Sequence, residues 1–533
     1  SSGNLCITLH NPFLGIKKYT RGKKKFYGPN RKCVKLQYSI LIPPYVDTGY
    51  FTPTIIFFFK FFLWLFLRIV IVLTNSRDHT KNKHKMSTVP EQLQPIFEQL
   101  DKNTDSNIAK LAKAISFKAV SADESLRQEC FKKADYIQSL LEELNCTDIQ
   151  QFDLGEEKPG LPLPPVILAR LGTSPTKKTV VVYAHMDVQP ASIEDGWNTE
   201  PFVLHHDKEN GLLIGRGSTD DTGPLLAWLN MIEAHQQLNK ELPVNLIFCF
   251  ESMEESGSIG LENLIKEQAV VSGYFYKTCS KIDAVAISDN YWLGTTTPAL
   301  TYGLRGCNYY QIKVNGPKAD LHSGVFGGCI AEPMIDLVQL LSTLVSSQGE
   351  ILIPGVKEMV APVTEEEKEI YKSIKYSIEE FNESSNSETC LFDNKEDILM
   401  HRWRMPSLSV HGIENAFSGP GAKTVIPATC TGKFSIRTVP HIDSAKLDAI
   451  VIDHVNKEFA KLNSKNTMTC ELIHDGAYWY SDPFNDSFTA ASKATELVWG
   501  QKPDLTREGG SIPITLTFEE QLKSSVVLIP CGR

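Results

Sequence analysis

Four short clusters in this 533-residue chain hold the side chains best suited to chemistry: His185-Met186-Asp187, Gly215-Arg216-Gly217-Ser218-Thr219-Asp220-Asp221, Glu251-Ser252-Met253-Glu254-Glu255 and Ser288-Asp289. They are evenly spaced, with 35 residues from His185 to Asp220, 34 from Asp220 to Glu254 and 34 from Glu255 to Asp289. One imidazole among several carboxylates suits a hard or borderline divalent cation such as Zn²⁺ or Mn²⁺, and because carboxylates bridge, two cations can share one site. Each cluster alone is weak. A lone histidine after a strand is most often structural, and paired glutamates commonly open helices, where they complement the dipole. Gly215-x-Gly217 lacks a third glycine and runs into acids that would repel a pyrophosphate. No Walker loop and no His-Glu-x-x-His pattern occurs, so nucleotide binding and a zinc helix of that kind drop out.

The elements that must position these clusters are legible as alternation. Short β-branched runs (Thr179–Tyr183, Val244–Phe250, Ala284–Ile287, Ser525–Ile529) alternate with helical stretches (Leu225–Leu238, Leu261–Gln268), which predicts an α/β domain with a mostly parallel sheet. In such sheets the loops beyond the strands' carboxyl ends converge on one crevice. Each cluster follows a buried run or opens a helix, so all four can surround one pocket. Residues 86–144 read as helices. Residues 302–490 change texture, with helices near Pro333–Ser346 and Ser444–Leu462, an acidic amphipathic stretch Glu365–Phe381, and strands near Leu408–Val410 and Lys433–Arg437. They predict an inserted α+β domain between catalytic parts 86–301 and 491–533.

Composition limits the classes. With 54 Lys+Arg against 63 Asp+Glu the chain is acidic overall, which argues against a nucleic-acid binder. The charge is uneven: residues 1–85 hold 15 Lys/Arg and two acids, Asp47 and Asp78. That segment contains the apolar run 51–73, long enough for a bilayer but interrupted by Lys60 and Arg68. No Met precedes Met86, after which globular composition begins. The segment therefore reads as translated upstream sequence, with a membrane anchor as the alternative, and the rest reads as cytoplasmic. The twelve cysteines are scattered singly, as in a reducing compartment.

Taken together, His185-Met-Asp187, Gly-Arg-Gly-Ser-Thr-Asp220-Asp-x-Gly, Met-Glu254-Glu255-Ser-Gly-Ser and Ser-Asp289-Asn-Tyr-Trp resemble the aminoacylase/carboxypeptidase clan of two-metal peptidases. Glu194-Asp-Gly-Trp197, Asp320-Leu-His322-Ser-Gly, His401-Arg-Trp-Arg404, Ala422-Lys-Thr424-Val-Ile-Pro and Leu505-Thr-Arg-Glu-Gly-Gly-Ser511-Ile-Pro make the match closest to its cytosolic non-specific (carnosine) dipeptidase group, over nearly all of the chain from Met86. The resemblance implies two divalent metal ions per subunit, Zn²⁺ or Mn²⁺, with Asp220 bridging, His185 and Asp289 completing one site and Glu255 serving the other. It implies that Asp187 orients His185 and that Glu254 is the general base. It further implies a lid and homodimer domain, in which His322 reaches the partner's active site, Arg437 clamps the substrate carboxylate, and Thr424, His474 and Ser511 touch substrate. The expected reaction is hydrolysis of unblocked dipeptides. The alternatives are an N-acyl-amino-acid deacylase of the same clan or a non-catalytic metal- or peptide-binding protein. The last alternative arises because the group's final metal histidine, expected beyond Leu528-Ile-Pro530, is absent from a chain that stops at Arg533. The group's usual Lys is replaced by Thr222.

Overall fold

The computed structural model describes residues 91, 93–387 and 389–532. The expectation for residues 1–85, with its apolar run, lies outside the described residues. Among the described residues no helix is long and apolar enough to cross a membrane.

The segment Thr-Val-Val-Val-Tyr-Ala-His, residues Thr179–His185, forms a strand buried along its whole length. A strand without polar alternation must be covered on both faces, which is the condition of a parallel α/β sheet. It lies parallel between Asn245–Glu251 and Ala284–Ile287. Val526–Leu528 extends the parallel set beside Ala284–Ile287 and is flanked on its other side by Ala299–Leu304, antiparallel. The far edge is antiparallel too, through Val166–Leu171 and then Thr147–Phe152. With Trp479–Tyr480 and Asp504–Glu508 against Ala299–Leu304, the sheet has nine strands. The fold is therefore the expected α/β architecture, parallel at its centre. The helix Thr222–Gln237 packs on Thr179–His185 and carries Gln94–Lys102 and Thr104–Ile115 on its outer side, while Ile514–Leu522 lies against Val526–Leu528.

A second, four-stranded antiparallel sheet has the order Ser407–Glu414, Thr429–Thr438, Gly306–Asn315, Thr467–Gly476. Gly306–Asn315 alternates buried and partly exposed residues, the pattern of a sheet with one dry face. Helices Pro333–Leu341 and Ser444–Lys461 cover that face, around a separate core that includes Tyr310, Ile312, Leu337, Phe434 and Val451. Trp479 and Phe488 belong instead to the larger core with Val181, Leu229, Phe248 and Leu528.

The acidic amphipathic stretch Glu365–Phe381 forms two helices, Glu365–Ser373 and Ile378–Ser385. Ser377 starts the second with a capping box, its hydroxyl accepting from Glu380 N while the Glu380 carboxylate accepts from Ser377 N. The local cap outcompetes the continuous acidic pattern.

Candidate metal centre

Three of the four clusters close on one point, two through strand ends and one through the loop before the helix Thr222–Gln237. His185 is the last residue of its fully buried strand, and its backbone N donates to Asp221 Oδ2 at 3.1 Å. Its Nδ1 lies 3.0 Å from the backbone oxygen of Asp187 and 3.4 Å from that residue's Oδ1, which turns Nε2 outward. Nε2 stands 2.9 Å from Asp220 Oδ1 and 3.3 Å from Asp289 Oδ1. One ligand atom from each of His185, Asp220 and Asp289 falls within 4.8 Å of the others. Bonds of about 2.1 Å in a tetrahedral site set ligand atoms about 3.4 Å apart, so this donor set fits a divalent cation.

The loop that delivers Asp220 depends on glycine. Gly217 adopts φ +90°, a left-handed conformation. Gly223 N donates to Gly217 O at 3.0 Å, and a Cβ on Gly223 would fall 2.0 Å from Ser218 O. The Gly-Arg-Gly-Ser-Thr-Asp-Asp-x-Gly sequence is thus a tight turn folded onto a helix start.

Asp187 ties the third cluster to the first. Its two carboxylate oxygens accept from Glu254 N (3.2 Å) and Glu255 N (3.1 Å). Glu254 and Glu255 then line, with Asp220 and Asp289, a cavity of about 620 Å³. Glu255 stands apart from the three-residue cluster: its Oε2 accepts from Gln189 Nε2 at 2.7 Å.

So many acids in one place disturb each other. Burial, then Asp289, holds the Glu254 carboxyl well above the ordinary range, and burial raises Asp221 likewise. Asp289 is raised to about 6 by burial, against the pull of His185. Burial opposes charge on His185 too, but Asp289, Asp187 and Asp220 raise it well above its usual value. Such crowding is what a bound cation relieves.

Of the expected substrate residues, Ser511 lines this cavity. His322, Thr424, Arg437 and His474 are not among its walls. His322 and Thr424 sit together, where Leu321–His322 pairs with Val425–Ile426 and Ser323 N donates to Thr424 O. Arg437 lies opposite Cys307 and His474 opposite Tyr309, on the two strands that flank Gly306–Asn315 in the second sheet.

The cavity also has walls that sequence reasoning passed over: Tyr291, Arg402 and Glu508. Tyr291 Oη donates to Asp220 Oδ2 at 3.0 Å. Arg402 and Glu508 stand inside motifs quoted above, but nothing local marks them as pocket residues. Behind them Arg305 donates to Ser407 Oγ and to the backbone oxygens of His401 and Gly509. Burial first, then Arg437, lowers its guanidinium to about 10, so basic groups gather beside the acidic cavity.

Comparison with known proteins agrees with this geometry. The model of peptidase family M20/M25/M40 matches residues 181–532. The chain is 60% identical over 446 residues to the Cys-Gly metallodipeptidase DUG1 of Candida albicans, covering 83% of this chain and 91% of that one. It is 44% identical to the human Beta-Ala-His dipeptidase, over 84% and 87% of the two chains. The solved structure of the dipeptidase Dug1p from Saccharomyces cerevisiae superposes with a TM-score of 0.77 at 59% identity, over 83% of this chain and 92% of that one. With the family model spanning well over half its length, the chain belongs to peptidase family M20/M25/M40.

Proposed function

We propose that the chain is a metal-dependent dipeptidase that hydrolyses the peptide bond of unblocked dipeptides. The observation that carries this reading is the cluster of His185, Asp220 and Asp289, two of which line one cavity with Glu254, in a chain 60% identical to a Cys-Gly metallodipeptidase. Three of the curated relatives are Cys-Gly metallodipeptidases, at 50% to 60% identity, so Cys-Gly is the first substrate proposed. Their names favour a dipeptidase over a deacylase.

His185, Asp220 and Asp289 would hold one divalent cation, and Asp220 with Glu255 a second, Zn²⁺ or Mn²⁺. Bound there, the metals supply Lewis acidity that polarises the scissile carbonyl and acidifies water. Glu254 then takes the proton of the attacking water and returns it to the departing amine, and its raised affinity for a proton suits that exchange near neutral pH. Asp187 holds the Glu254 backbone and the His185 ring in register. Arg402, backed by Arg305, and Arg437 form the basic side that suits the dipeptide's carboxylate, by bidentate contact. We assign the 302–490 segment to a lid that also pairs two subunits. In that homodimer His322 and Thr424 serve the partner's cavity, and His474 and Ser511 complete the substrate contacts. The scattered thiols, free at all ten described cysteines, suit the cytoplasm.

The test is release of glycine from Cys-Gly by the purified chain with Mn²⁺ or Zn²⁺. Turnover that disappears on chelation and in Glu254→Gln supports the reading; turnover equal to that of the Glu254→Gln protein overturns it.

A further inference from the structure

Lys133 lies in the middle of the helix Arg127–Glu143, on the face formed by Cys130, Ala134, Ile137 and Leu141. That face is the helix's buried stripe, where lysine is rare unless paired. Lys133 is fully buried, and the one hydrogen bond described for its Nζ runs to Thr222 Oγ1 at 2.8 Å, a neutral acceptor. Thr222 opens the helix Thr222–Gln237, whose N-terminal dipole disfavours a cation. Burial lowers the ammonium to about 8, while Asp187, Cys130 and Asp221 act to retain it. A hydrocarbon side chain would fill this place without either penalty.

What surrounds it gives the ammonium a purpose. Asp221, next to Thr222, leaves its buried Oδ1 without a partner among the described residues, and its Oδ2 holds the backbone of His185. Asp187 anchors the backbones of Glu254 and Glu255. Asp187 and Asp221 are the acids that act on Lys133, and beyond them Asp220 and Asp289 stand against the His185 ring.

We propose that Lys133 is a built-in countercharge of the metal centre, a positioning residue that lets these acids stand together before any cation arrives. It rests on His185, Asp220 and Asp289 being metal ligands. A fixed positive charge there has a signature that packing alone lacks. It stabilises the metal-free protein more than the loaded one, and so it weakens cation binding.

The experiment titrates the metal-stripped full chain with Mn²⁺ by calorimetry and melts it with and without saturating Mn²⁺. Lys133→Gln can keep the bond to Thr222 and loses only the charge. It should bind Mn²⁺ roughly tenfold more tightly than wild type, by the Coulomb term of one nearby unit charge. Its melting point should fall in the metal-free form and recover when loaded. Lys133→Arg should behave as wild type. If metal-free Lys133→Gln does not stay folded, the double variant Lys133→Met with Thr222→Lys decides. An ammonium delivered from position 222 should restore wild-type affinity. Unchanged affinity in Lys133→Gln, an equal melting loss with and without Mn²⁺, or failure of the relocated lysine overturns the countercharge alone. Wild type binding Mn²⁺ no better than Asp220→Asn overturns the ligand assignment, and the countercharge with it.

Discussion

Glu254 and Glu255 are sequence neighbours held by the same carboxylate, yet they face different company. Glu254 feels Asp289 most after burial, whereas Glu255 feels Asp220 and gives one oxygen to Gln189. Glu254→Gln should therefore lower turnover by about 10²–10⁴-fold while the bound-metal content stays at the wild-type level, read by elemental analysis. His185→Ala should instead lose metal and turnover together. Beneath them, Glu251 is fully buried, accepting from Tyr183 Oη at 2.6 Å and Ser258 Oγ at 2.8 Å, and burial raises it from 4.5 to about 7. Its folded-state value exceeds the unfolded one, so the native state holds the proton longer. The stability it contributes is present at pH 4.5 and below, falls as pH rises towards about 7, and stays lost above that. Denaturant midpoints of metal-free Glu251→Gln at pH 5 and pH 8 should differ less than those of wild type. His185, Asp220 and Asp289 were legible in sequence because each follows its own strand or turn. Tyr291, Arg402, Glu508 and Lys133 were not, because only the packed fold brings them near.

At the level of elements, a helix and a parallel strand separate Asp220 from Glu254 and Glu255 from Asp289, whereas a short turn and the small hairpin His205–Asp207/Leu212–Ile214 fill the similar distance from His185 to Asp220. The Asp220 turn is the least tolerant of these supports. Gly223→Ala would drive a methyl into Ser218 O, 2.0 Å away, so the turn must open and Asp220 must shift. Its Mn²⁺ affinity should fall at least tenfold, with a smaller loss of overall stability, in the same calorimetric titration. Helix boundaries were harder to read. The split of Glu365–Phe381 rests on a single Ser377–Glu380 cap, a signal of a few atoms that hydrophobic periodicity does not register.

For the whole molecule, the alternation of runs announced an α/β sheet, and the change of texture after Tyr302 announced the second sheet. That Arg437, His474 and Thr424 do not line the metal cavity was not legible, because it depends on how one sheet is set against the other elements. Ligand binding to the native state alone stabilises by mass action. Mn²⁺ at a hundred times its dissociation constant should add about 2.7 kcal/mol, visible as a rise in the melting point that His185→Ala abolishes.

Val526–Leu528 lies between Ala284–Ile287 and Ala299–Leu304, so residues synthesised long after both of their neighbours occupy the interior of the sheet. Until they emerge, two strands made more than two hundred residues earlier keep bare hydrogen-bonding edges. Synthesis must therefore run nearly to Leu528 before the catalytic half can close. A nascent chain stalled before that point should stay protease-sensitive and aggregation-prone, whatever metal is supplied.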